Sequence, residues 1–434
     1  MATVSPEPSR RTVVVVLGIG QVLVWGSSYY LPAVLAKPIA DQTGWPLAWV
    51  IGALSLGLLV SGLVSPKVGS LIERHGGRPV LMGSAVLMAA GLAILAAAPS
   101  LAVFTFGWLV LGAAMGAGLY DPAFATLGRL YGKGARAIIT SLTLIGGFAS
   151  TVCWPLSALL LEYFGWRGAC LAYAVVNLGL VLPLYRFGLP AEAPAVRAGA
   201  ASPRRSAGVF RNRARESEEH GAGERGAGES LGPSAAAGRD ARHHLLFFLV
   251  AFTMTLSSVI AAVMSVQLLA VLQQRGVPLA TAVAFGAVVG PCQVGARLID
   301  LLAGQRTHPV WEGLLSAAFV SLGLGLLLVR HEAVLLGLVV YGGGIGLRSI
   351  VRGTLPLALF GPVGYPSLIG RLAFPMLLGQ AAGPAAGAVL LEHFGGRSVL
   401  LVLFWTAIVT LSFSAMLVPF ARQSRARPVA KAES

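Results

Sequence analysis

The chain has 434 residues, of which 56% are hydrophobic and only 11% charged, and it carries a formal net charge of +15. Soluble domains carry roughly 25% charged residues, so this balance excludes a water-soluble globule and points to a lipid bilayer. The positive charge comes with no nucleic-acid recognition motif. The three cysteines, Cys153, Cys170 and Cys292, form neither a disulfide framework nor a CxxC zinc site, so no nucleic acid, metal or cofactor is expected.

A membrane-crossing helix needs roughly 20 mainly apolar residues. The first half supplies six such runs, near 13–36, 47–70, 79–98, 101–129, 138–162 and 168–188. Arg10 and Arg11 ahead of the first run imitate a signal peptide. The run continues to Ala36, too long for an h-region, and is read as the first membrane helix. Residues 190–243 follow, with Arg204, Arg205, Arg211, Arg213, Arg215, an acidic cluster at Glu216–Glu219 and a Gly-Ala-Gly-Glu repeat. That segment has almost no large apolar residues and is expected to be a disordered cytoplasmic linker. Six more runs lie near 245–272, 279–302, 311–329, 333–360, 367–391 and 398–420. The expected organisation is a six-helix bundle over 1–189, the linker 190–243, a second six-helix bundle over 244–421 and a tail over 422–434.

The two halves are copies. Leu160-Leu161-Glu162-Tyr163-Phe164-Gly165-Trp166-Arg167 returns as Leu390-Leu391-Glu392-His393-Phe394-Gly395-Gly396-Arg397, about 230 residues later. A duplicated bundle of membrane helices is how many secondary transporters are built, so movement of a small solute is expected. Orientation follows from the basic residues. With a cytoplasmic N-terminus the outer loops hold only Lys37, Arg167, Arg275, Arg330 and Arg397, while Arg74, Arg78, Lys133, Arg136, the linker, Arg306, Arg371 and the Arg422–Lys431 tail lie inside. This positive-inside asymmetry puts both termini in the cytoplasm. Arg129 and Arg136, at the inner end of the fourth helix, read as topology anchors.

After the second helix comes Gly69-Ser70-Leu71-Ile72-Glu73-Arg74-His75-Gly76-Gly77-Arg78. It resembles the signature loop of the major facilitator superfamily, G-x-L-x-D-R-x-G-R-R/K, with Glu73 for the usual Asp and Gly77 for the usual Arg. A degenerate counterpart runs through Ala296-Arg297-Leu298-Ile299-Asp300. The resemblance implies an all-α membrane fold of twelve transmembrane helices in two pseudo-symmetric six-helix bundles, and alternating access. It also implies a conformational latch at Gly69, Glu73, Arg74, Arg78 and Asp300. The Arg in the fourth helix and the glycine-rich fifth helix of the family's proton-drug antiporters are missing. Gly379, Gly383 and Gly387, at i, i+4 and i+8, read as a tight packing face.

The resemblance implies a cavity lined by the first, fourth, seventh and tenth helices. Asp121 is the acidic residue well inside a span, and Arg348 and Arg352, four apart, share one face of the tenth helix. Shifting Asp121 by the repeat offset arrives beside Arg352, so acid and base are expected to face each other. In one reading the arginines attract an anionic or polar solute, while Asp121 pairs with them or carries a proton. In the other Asp121 bonds to backbone and Arg352 snorkels to the interface. Trp25 and Tyr29 are candidates to grip the solute, or members of an outer interface belt. Gln267 and Gln293 are weaker candidates.

Similarity to a bacterial branch of the family that includes arsenite exporters makes arsenite or antimonite efflux an alternative, through the three cysteines. A membrane receptor that binds solute without moving it is another. The seven histidines are scattered, so no catalytic cluster forms and no enzyme is expected; nor is there a phosphate-binding loop for ATP. The expectation is a monomeric multi-pass protein of the bacterial inner membrane with a small-molecule substrate and possible proton coupling.

Overall fold

The computed structural model describes residues 9–191, 233–303, 307–329 and 333–425. Expectations for residues 192–232, for Arg306 and Arg330 and for the tail beyond Arg425 lie outside the described residues. The described elements are all helical. In hydrocarbon no water can satisfy a backbone N–H or C=O, so an apolar run of this length must close its hydrogen bonds within a helix.

Among the described residues nine helical stretches are long and apolar enough to cross a membrane, and two of them contain more than one pass. Residues 101–188 turn back at Gly132 (φ 53°) and again at Gly165 (φ 66°). The second reversal is fixed by Tyr173, whose hydroxyl lies 2.7 Å from Ser157 Oγ and donates to the Cys153 carbonyl at 3.2 Å. In a straight helix residues that far apart in sequence would be about 24–30 Å apart. Residues 365–415 likewise fold back at Gly395 (φ 78°). Gly396 lies against Val271 at the end of the seventh pass, while Phe413 lies 4.7 Å from Phe252 near its start. The described residues therefore form twelve passes.

The two most alike segments of the sequence are thus the two matching turns. Gly165 and Gly395 both hold a left-handed φ that a Cβ would strain. Arg167, beyond the first turn, donates to the carbonyls of Ala96 and Ala98 at 2.6 and 2.8 Å and caps the third pass. The seventh helix begins at Pro233, ten residues ahead of the expected linker boundary, because Ala235, Ala236 and Ala237 extend it with strong helix formers.

The end of the bundle where residues 188 and 241 meet the linker is called the linker end, and the opposite one the far end. At the linker end the halves share one buried cluster, with Leu81, Phe124 and Leu127 from the first half and Leu355, Tyr365 and Leu372 from the second. A separate cluster, including Val271, Leu324, Leu338 and Leu403, belongs to the second half alone. The halves are closed on each other at the linker end. Gly379, Gly383 and Gly387 pack on Val259, Ala262 and Val263 of the seventh pass.

Candidate functional site

The fourth pass is broken. Its first piece, Leu101–Gly118, stops at Leu119 (φ −78°, ψ −158°), and a second, Tyr120–Tyr131, begins at once. Pro122 has no N–H to give the Gly118 carbonyl, and Gln21 of the first pass supplies the missing donor. Gln21 Nε2 donates to Gly118 O at 2.7 Å and Leu119 O at 3.4 Å, and its Oε1 accepts from Trp25 Nε1 at 3.1 Å. The new helix start carries Asp121 in its first turn, where the dipole favours a carboxylate. Pro122 fits there because a first-turn residue needs no N–H partner.

Across the cleft, Arg352 of the tenth pass grips Asp121 with two prongs. Nε donates to Oδ1 at 2.7 Å and Nη2 to Oδ2. The pair is nearly buried, with side-chain exposures of 12% for Arg352 and 9% for Asp121. Arg348, one turn away, donates weakly to Ser258 Oγ at 3.4 Å, and its Nε has no partner among the described residues. It lies within electrostatic reach of Tyr29, Tyr341, Arg352 and Arg297.

Arg297 of the eighth pass is the residue that sequence reading undervalues. In the sequence it stands only as part of the degenerate loop, yet it sits one helical turn inside Asp300 and is buried. Its guanidinium donates to Thr143 O at 3.0 Å across the halves, to Ser349 Oγ at 3.0 Å, to Gln293 Oε1 at 3.3 Å and to Gly346 O at 3.4 Å. The signal for it is an arginine inside an apolar run. Three guanidiniums thus face one carboxylate, and the hydrogen-bond partners of Arg297 and Arg348 among the described residues are neutral. Cations withdrawn from water without counter-charge are costly, and here their partners are neutral oxygens.

The first half faces these arginines with rings. Trp25, half-buried, lies 5.3 Å from Tyr29, 5.8 Å from Tyr30 and 5.1 Å from Tyr120, centroid to centroid. Tyr30 in turn meets Trp154 at 6.2 Å, edge to face. Trp25 and Tyr29 therefore stand in one internal aromatic group beside the helix break.

The expected latch residues separate into two groups. Gly69 meets the eleventh pass so closely that a Cβ there would collide with Pro366 O. Glu73 Oε2 accepts from Ser367 N at 3.1 Å and Ser367 Oγ at 2.6 Å, capping the eleventh pass from the opposite half. Arg129 donates to the Glu73 carbonyl. Arg74 is exposed and Arg78 half-buried, and neither has a hydrogen bond among the described residues. Asp300 Oδ2 also has no partner among them. The corresponding bridge is made by Arg136 and Glu312, with Thr307 Oγ1 donating to Glu312 at 3.0 Å. Arg129 and Arg136, read as topology anchors, thus both hold contacts at the linker end. Gln267 donates to Pro384 O at 2.8 Å, a packing role.

The cysteines do not converge. Cys153 faces Gly26 and Val22 of the first pass, Cys170 is buried in the sixth, and Cys292 lies against Gly342. Among the described residues no group of three His, Cys, Asp or Glu could hold a metal ion. The geometry gives a thiolate-based arsenite site no support.

The family model of the Major Facilitator Superfamily matches residues 17–356. Human monocarboxylate transporter 11 is 34% identical over 162 residues, 36% of this chain and 33% of that protein. The match spans about a third of that relative's length. Rat monocarboxylate transporter 3 is 25% identical over 373 residues, covering 83% of this chain and 69% of the relative. Among solved structures, the human organic anion transporter MFSD10 superposes with a TM-score of 0.68 at 17% identity, covering 94% of this chain and all of the other, a likeness of fold.

Proposed function

The chain belongs to the Major Facilitator Superfamily, and from that premise we propose that it is a secondary transporter carrying a small organic carboxylate across the membrane by alternating access. The observation that carries this reading is the charge imbalance at the centre. Among the described residues Arg297 and Arg348 hydrogen-bond only to neutral groups, while the carboxylate beside them, Asp121, is committed to Arg352. A carboxylate entering from the far end would meet two under-neutralised guanidiniums able to bind it by charge-assisted hydrogen bonds. Similarity to monocarboxylate transporters supports the same class of solute.

Asp121 is the proposed proton carrier. Charged, it holds Arg352 and keeps the linker end shut. Protonated, it releases Arg352 toward the solute and lets the halves rock about the centre, with the contacts of Glu73 and of Arg136 as the latch. The linker end is proposed to be cytoplasmic. Arg10, Arg11, Arg74, Lys133, Arg186 and Arg371 lie there, against Lys37, Arg167, Arg275 and Arg397 at the far end. The protein is proposed to work as a monomer in a bacterial inner membrane.

The test is flux in proteoliposomes, comparing a panel of monocarboxylates with a neutral sugar and an amine under an imposed proton gradient. Wild type should move carboxylates, and Arg297→Gln or Arg348→Gln should raise KM by about tenfold or more, the worth of a hydrogen bond to a charged group. Movement of the sugar or amine with no carboxylate flux would overturn the reading. Saturable binding of a carboxylate without flux would make the protein a receptor.

A further inference from the structure

We propose that the solute is an aromatic monocarboxylate, whose ring is held by the aromatic wall of the first half while its acid group rests on the arginines of the second. This deepens the carboxylate reading and rests on it. Arg297 lies within electrostatic reach of Tyr30 and Tyr120, and Arg348 within reach of Tyr29. A carboxylate bound to either guanidinium therefore puts the rest of its molecule among these rings.

The wall is built mainly of ring surface, with the tyrosine hydroxyls at its edges. The Trp25 indole N–H is already taken by Gln21, and the Tyr29 hydroxyl points toward the second half, near Gln380 and Arg348. Trp25, Tyr29 and Tyr30 are partly exposed and Trp154 is 46% exposed, so their rings are not fully packed away. Their planes differ: 72° between Trp25 and Tyr29, 38° between Trp25 and Tyr30, 89° between Tyr30 and Trp154. A flat ring entering that group meets faces and edges at the tilted and T-shaped angles that aromatic pairs prefer. The negative ring faces also repel a carboxylate, which orients the acid group toward the arginines.

The experiment compares phenylacetate with cyclohexylacetate, equal in charge and similar in size but differing in π character, with lactate as a small aliphatic control. Wild type should take up phenylacetate about fivefold faster than cyclohexylacetate at low concentration, the worth of one or two aromatic contacts. In Trp154→Leu and Tyr30→Leu that ratio should fall toward one while cyclohexylacetate or lactate flux persists, which shows that the variants fold. Equal uptake of the two acids by wild type, or an unchanged ratio in both variants, overturns the aromatic class. Lactate flux without phenylacetate flux overturns it while leaving the carboxylate reading standing. Absence of flux for every carboxylate overturns both.

Discussion

Arg352 and Asp121 stand 231 positions apart and meet as a fork across the two halves, Nε 2.7 Å from Oδ1. Removing one partner of a nearly buried pair strands the other charge, at a cost of about 3–5 kcal/mol. Asp121→Asn should therefore weaken the closed linker end and abolish solute accumulation driven by a proton gradient, while solute exchange survives. Arg352→Gln added to Asp121→Asn should recover part of the lost thermal stability. Gradient-driven accumulation that persists in Asp121→Asn would remove the proton role from this carboxyl.

Gly370 gives a steric test of the same gate. A Cβ there would collide with Ser65 O, a backbone atom that has nowhere to go. Gly370→Ala should oppose closure by about 1–3 kcal/mol, the usual cost of overpacking. The readout is the alkylation rate of a cysteine placed at Ser367, which should rise as the linker end opens. An unchanged rate would show that the crossing is not part of the gate.

Glu73 separates charge from hydrogen bonding at the latch. Glu73→Gln keeps an acceptor for the amide and hydroxyl of Ser367, whereas Glu73→Ala removes it. The alanine variant should lose about 0.5–2 kcal/mol of closed-state stability, as at other helix caps, and the glutamine variant less. Because Ser367 is itself the partner here, the readout is the melting temperature in detergent of the two variants side by side. Equal effects of the two substitutions would argue that the carboxylate charge, not the cap, holds the joint.

Gln21 is predicted to be a stability residue. Gln21→Leu leaves the buried carbonyl of Gly118 without a donor, at about 1–3 kcal/mol, while Leu119 O keeps the Ala123 amide. The melting temperature in detergent should fall, and the Trp25 emission should shift, since its N–H loses Oε1 as well. A melting temperature equal to wild type would mean that water replaces the amide.

Helix positions are legible in the sequence because the bilayer imposes one rule on every run. The expected tenth span, 333–360, and the structure's Val334–Phe360 differ by a residue. The break at Leu119 is not legible. Gly118 and Pro122 bracket it, but similar residues pass uninterrupted elsewhere, as Pro356 does in the tenth helix. Pro122 removes the bond to the Gly118 carbonyl, and the break there is tolerated because Gln21, 97 residues away, satisfies the freed carbonyl. The meeting of Asp121 with Arg352 can be anticipated from the repeat offset, since equivalent helices line one axis. Arg297 is obscured by its neighbour: three positions from Asp300 it reads as a loop residue, and only the helix turning it inward shows otherwise. The bridge of Arg136 to Glu312 is hidden in the same way, being a contact between helix ends that share no sequence pattern.

At the crossing of Gly69 and Gly370 the two halves touch through main-chain atoms. Parting them there frees no rotamers and rejoining them orders none, so that part of the motion carries almost no conformational-entropy change. The equilibrium between shut and open then depends on the shared apolar cluster, the Asp121–Arg352 fork and the polar contacts around Glu73 and Arg136. A bound molecule can tip such a seam by preferring one side, which needs about 5.5 kcal/mol of differential affinity to reverse a hundredfold bias.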